Sequence, residues 1–97
     1  MDLGKELQGL IRDMEKLRDS QQPPDDRLLE LLDRLCQQKL DLVKARIDFT
    51  TDKYQGAFAA LKDAAAITRG VISDLTKLEE ALRKIAKVVG KIADLID

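Results

Sequence analysis

The sequence predicts an all-α protein, an antiparallel helical bundle or coiled coil of about three long amphipathic helices. Three observations carry this expectation. Apolar residues recur at alternating spacings of three and four over nearly the whole chain, as they do on a helix with one buried stripe. Aromatic residues make up only 3% of a composition that is 44% hydrophobic and 36% charged, a profile of long helices rather than of sheets. Pro23 and Pro24 are the only two prolines and stand side by side, so the rest of the chain is free of the strongest helix breaker. The 97 residues make a single helical domain over 1–97. A chain of this size buries only about two-thirds of its unfolded surface, so it depends on regular packing or on association.

The first helix is written by Leu3, Leu7, Leu10, Met14 and Leu17, with Ile11 widening the seam. It is roughly 18 residues or 27 Å long at 1.5 Å per residue. Gly4 and Gly9 each cost it about 1 kcal/mol relative to alanine, so packing must hold it. It ends near Ser20, because Pro23 and Pro24 lack backbone N–H groups and push the residues before them out of the α region. A turn is therefore expected at 21–24. Asp25 and Asp26 then suit the N-terminus of a second helix and the positive end of its dipole.

From Cys36 one heptad register runs to the C-terminus. Its d positions are Cys36, Val43, Thr50, Ala57, Ala64, Val71, Leu78, Ile85 and Ile92; its a positions run from Leu40 through Tyr54, Leu61 and Leu82 to Ile96. Thr50 and Thr68 are the polar exceptions among these seam positions, and each lies close to a candidate turn. The favoured reversal is near 69–73, where Gly70 can end a helix and Ser73 start one. The alternative break is near 50–52, where Asp52 and Gln55 have capping-box spacing. Breaks at both places give four helices. Unbroken helix from 25 to 96 would be a rod of about 108 Å, and folding back is the ordinary way to bury such a seam.

Residues 28–49 carry a second stripe on the opposite side: Leu28, Leu35, Leu42 and Phe49, joined by Leu31 and Ala45. A helix apolar on two sides must be sandwiched, since apolar surface left in water forfeits about 25 cal/mol per Å². Helix 1 and the returning chain can fill the two sides, or one side can be a docking groove for another protein. The last segment has one broad apolar arc, with Leu78, Leu82, Ile85, Val89 and Ile92 along it and Lys77, Lys84 and Lys91 in a row outside. An arc this wide fits a bundle of three or more helices. It also fits a helix lying in a membrane interface, which makes lipid contact by residues 71–96 the alternative function.

Seventeen basic and 18 acidic residues leave a net charge of −1, which argues against a nucleic-acid partner, since phosphate neutralisation needs a basic excess. The charges are unevenly spread: residues 1–35 hold 6 basic and 9 acidic side chains and residues 36–97 hold 11 and 9. A head-to-tail electrostatic preference could follow, although dispersed charge is usually just a solvated surface. Cys36 stands alone on an apolar stripe and reads as a buried, reduced thiol, which suits the cytoplasm. Met1-Asp2-Leu3-Gly4-Lys5-Glu6 has no signal pattern. The longest uncharged run, Tyr54 to Leu61, falls far short of the roughly 20 residues that span a bilayer.

The chain lacks histidine, tryptophan and any cysteine pair, so no metal site, cofactor or proton shuttle is expected. Acidic pairs such as Glu79 with Glu80 and Asp48 with Asp52 sit among lysines and arginines and read as solvated ion pairs. The glycines are scattered at 4, 9, 56, 70 and 90 and make no phosphate loop. No catalytic residue is expected, and the chain reads as a non-enzyme. Tyr54-Gln55-Gly56 is similar to the aromatic-x-Gly turn of the small secreted helical hairpins built on Trp-x-Gly. The match is three residues, with Tyr for Trp, and the heptad phase runs straight through Gly56. The resemblance would imply a two-helix hairpin, whereas Pro23-Pro24 adds a third helix.

The expected function is therefore helix-to-helix packing: a self-associating interaction protein acting as adaptor, chaperone or inhibitor on a helical partner or a second copy. The expected partner-binding residues are Leu28, Leu35, Leu42 and Phe49 on the second stripe and Leu78, Leu82, Ile85, Val89 and Ile92 on the C-terminal face. Phe49, Tyr54 and Phe58, the three aromatics, are candidate anchors because aromatics dominate hot spots; filling the core at a helix crossing is their other role.

Overall fold

Helix ends are where the unpaired backbone groups of each helix must find partners, and in this chain local side chains supply several of them. The structure is a computed structural model that describes residues 2–96. Among these, α1 spans Leu3–Ser20, α2 Asp26–Lys44, α3 Asp52–Ser73 and α4 Leu78–Ile96, with a short 3-10 turn at Leu75–Lys77 leading into α4. The Asp2 carboxylate accepts from the Lys5 N–H at 3.1 Å to cap α1, and the Ser20 hydroxyl closes its far end on the Leu17 carbonyl at 2.7 Å. Asp25 caps α2 by accepting from the Arg27 N–H at 2.8 Å. The expected turn at 21–24 is in place.

Both later candidate breaks occur, so the bundle has four helices where about three were expected. In the first, residues 45–51 leave the helix, and Asp48 Oδ1 accepts from the Thr50 N–H at 2.9 Å and the Thr50 hydroxyl at 2.6 Å. Thr51 then caps α3 by accepting from the Tyr54 N–H at 3.2 Å; the cap is not the expected Asp52. In the second, α3 runs straight through Gly70 and Ser73, and the chain turns at Asp74. Asp74 repeats the Asp48 device, accepting from the Thr76 N–H at 3.1 Å and its hydroxyl at 2.6 Å. An aspartate two residues before a threonine offers the backbone a local alternative to the helix. Gly70, whose φ is not positive, merely tolerates the helix. Tyr54-Gln55-Gly56 lies inside α3, not at a turn between helices. The heptad phase outlasts the first break because the seven loop residues add one whole period.

Around the bundle the packing order is α1, α2, α4, α3, and among the described residues the diagonal pairs α1/α4 and α2/α3 do not pack together. Long-range bonds give the directions. The Leu3 N–H donates to the Tyr54 hydroxyl at 3.1 Å and Arg69 pairs with Asp13 at 3.0 Å, so α1 and α3 run parallel. Arg27 pairs with Glu79 at 2.7 Å, and Gln38 donates to the Val89 carbonyl at 2.8 Å, so α2 and α4 also run parallel. Two antiparallel hairpins, α1–α2 and α3–α4, therefore lie side by side, and residues 45–51 cross the diagonal at one end. The bundle measures 40 × 20 × 18 Å.

Leu7, Leu10, Met14 and Leu17 of α1, Leu61, Ala64 and Val71 of α3 and Ile85, Val88 and Ile92 of α4 all belong to one buried core. Each large aliphatic side chain taken out of water here contributes about 1.5–3 kcal/mol. Alanines at 57, 60, 64 and 65 are buried and small enough to let neighbouring helices approach α3 closely. Thr68 is the single buried polar residue among those described, and its hydroxyl is satisfied by the Ala64 carbonyl at 2.7 Å. Its place on the seam is thus compatible with an apolar core.

Candidate functional site

α2 is the helix with the fewest buried side chains: Leu28, Leu32 and Leu35. These, with half-buried Leu31 and Leu42 packed behind them, form the side that touches α1 and α4. The second stripe of residues 28–49 is thus the inner one. The heptad stripe on the other side faces solvent, with Leu29, Leu40 and Val43 at 38%, 59% and 83% exposure. Cys36 lies on the same line and is also exposed, which corrects its reading as a buried thiol. Just beyond the helix, Phe49 is 66% exposed.

The exposed line runs into a groove of about 770 Å³ at the end of the bundle where α1 and α3 begin. Leu3, Leu42, Val43, Ile47, Phe49 and Tyr54 line it, and Lys5 and Lys39 stand at its rim. The aromatics organise this end. Phe49 meets Tyr54 edge-on with centroids 5.2 Å apart, and Tyr54 stacks on Phe58 at 6.5 Å. The Lys62 ammonium lies 5.5 Å from the Phe58 ring centre. Tyr54 is buried and ties the start of α1 to α3; Phe49 alone of the three presents most of its ring to water.

The residues expected at a partner interface divide sharply. Leu28, Leu35, Leu82, Ile85 and Ile92 are buried in the chain's own core, and Leu42, Leu78 and Val89 are half-buried against it. In the closed bundle they have little surface to give. Phe49 is the exception. Of the open surface, Cys36, Leu40 and Val43 were legible as the heptad seam, and Leu29, one period before Cys36, extends it. Asp26 and Asp33, at the a positions preceding Leu40, were the sign that this seam does not enter the core, since buried carboxylates are costly.

Opposite this end, Arg27 joins Asp25 and Glu79. Its guanidinium reaches Glu79 through two bonds of 2.7 and 3.0 Å and Asp25 through bonds of 2.9 and 3.2 Å. These bonds hold both carboxyls below their ordinary values of 3.8 for Asp25 and 4.5 for Glu79 and keep Arg27 firmly protonated. Asp48 and Asp74 are lowered by the hydroxyls and amides of Thr50 and Thr76. A carboxyl whose folded pKa is depressed stabilises the fold in full above its unfolded value, and that contribution disappears as pH falls through the folded one. The urea midpoint should accordingly be level near neutrality and decline as pH drops from about 4.5 downward. The effect is modest because these groups are solvated. Glu79→Gln should show a smaller decline; a midpoint that rises on acidification would contradict the assignment.

Among the described residues no group of three or more acidic, cysteine or histidine side chains is arranged to hold a metal ion, and no helix is long and apolar enough to cross a membrane. The chain matches no protein-family model, and no curated protein or solved structure matches it either.

Proposed function

We propose that this chain is a non-enzymatic interaction protein that works by helix-to-helix packing, as an adaptor, chaperone or inhibitor. The carrying observation is the open apolar stripe of α2, continued by Phe49 and the groove beside it. Contiguous apolar surface on an otherwise well-packed small bundle marks a contact site more often than a scattered exposed leucine does. Phe49 supplies the kind of aromatic anchor that concentrates binding energy. The partner is another protein helix, because an open heptad stripe is completed by one. An unpaired, exposed thiol at Cys36 suits a reducing compartment such as the cytoplasm.

Contact of residues 71–96 with lipid would require α4 to leave the bundle, since Ile85, Val88 and Ile92 are wholly buried. Flotation with liposomes reads that alternative directly. The test of the main proposal is co-purification with the tagged full chain from its native source. Wild type and the exposed control Lys87→Glu should retain a partner that Val43→Asp loses. Equal retention by all three, or no partner for any, would overturn the proposal.

A further inference from the structure

α2 meets the rest of the bundle along one side only, and the charges beside its free side indicate what fits there. Leu29, Cys36, Leu40 and Val43 lie within an arc of about 60° at 3.6 residues per turn, and extend about 21 Å along the axis. This is a coiled-coil seam lacking its second helix. One side of it is ordered by charge: Asp26 and Asp33 at its a positions and Glu30 beside them, 3.5 Å from Arg34, occupy the N-terminal half and Lys44 the C-terminal half, all of them exposed. The opposite edge carries Lys39, which lines the groove beside α1. A helix with this same charge order, laid antiparallel, sets acid against base at both ends. A parallel copy sets acid on acid, and base on base. The helix dipoles also favour the antiparallel direction.

We infer that the occupant of this seam is the α2 of a second copy of the chain, paired antiparallel about a twofold axis near Gln37 and Gln38. This rests on the proposed role of the α2 face and names its partner. A contact of this kind is isologous: each copy offers the same patch and receives the same patch. Leu40 of each copy lies against Cys36 of the other. Lys44 of each reaches Glu30 and Asp33 of the other, so these three charges gain an opposite neighbour. The pairing covers Leu29, Leu40 and Val43, three of the six large apolar side chains that stay exposed among the described residues.

The experiment is light scattering or sedimentation of the full chain under reducing conditions, with circular dichroism to confirm unchanged helix content in each variant. The mass should rise from 10.9 kDa toward twice that value at micromolar concentrations. Leu40→Glu should raise the dissociation constant by about tenfold or more. Lys44→Glu alone, and Glu30→Lys with Asp33→Lys, should each weaken the dimer by roughly three- to tenfold. All three changes together should restore it, since Glu30, Asp33 and Lys44 are then reversed together and still complementary across the antiparallel pair. A strict monomer at high micromolar concentration would overturn the self-pairing, while face-dependent capture of another chain would still stand. A dimer indifferent to Leu40→Glu would overturn the α2 seam. A dimer broken by Leu40→Glu but not restored by the combined charge reversal would overturn the antiparallel direction.

Discussion

Ile85→Asp is expected to unfold the bundle at room temperature. Ile85 sits midway along α4 and is wholly buried, in a core whose single other polar side chain among the described residues satisfies itself within its own helix. A carboxylate placed there would lose its hydration and find no cation within the core; the nearest relief is to break the packing. The cost, at least about 4 kcal/mol, belongs to the severe end of single substitutions. Against it stands a total stability of order 5–15 kcal/mol for a domain, and a small core lies toward the lower end. Helix content should fall with tertiary structure, because isolated helices of 18 to 22 residues are marginal in water. Far-UV circular dichroism and a thermal melt read this directly. A cooperative melt close to wild type would mean that α4 does not lie where it is described.

Tyr54→Ala should cost about 3–5 kcal/mol. The ring is 1% exposed, lies between Phe49 and Phe58, and fills the end of the core where α1, α3 and the 45–51 loop meet. Tyr54→Phe separates the ring from its hydroxyl. It leaves the Leu3 N–H without its partner at 3.1 Å and should cost about 1 kcal/mol. Urea denaturation of both variants gives the two numbers. Exchange of the first-turn amides of α1 should also quicken in Tyr54→Phe, since that hydroxyl is what ties the N-terminus of α1 to α3. If the two variants lost equal stability, the hydroxyl rather than the ring would be holding this end together.

Much of this fold is written locally. The seam of Leu3, Leu7, Leu10, Met14 and Leu17 identifies α1 and its buried face, because helical periodicity and burial are one pattern seen twice. The proline pair locates the first reversal for an equally local reason. The second and third reversals were visible as candidates, but a heptad count alone could not decide between them. Seven loop residues return the count to the same phase, and Gly70 looks like a stop although its neighbours carry the helix past it. The decisive chemistry was Asp-Xaa-Thr at 48–50 and 74–76, a side-chain turn that periodicity does not register.

The candidate surface was less legible. The nine residues expected to meet a partner are mostly the bundle's own core, and Phe49 alone among them is largely in water. The sequence by itself determined that the chain is helical, that the helix before Pro23 has one stripe and that residues 28–49 have two. Only the tertiary structure decided which of those two faces inward. A stripe records that burial is favourable, but its periodicity does not record which neighbour provides it. That depends on where two later turns fall and on which hairpin face the diagonal link presents. Here α1 and α4 both take the side of Leu28 and Leu35, and Leu40 and Val43 are left facing water.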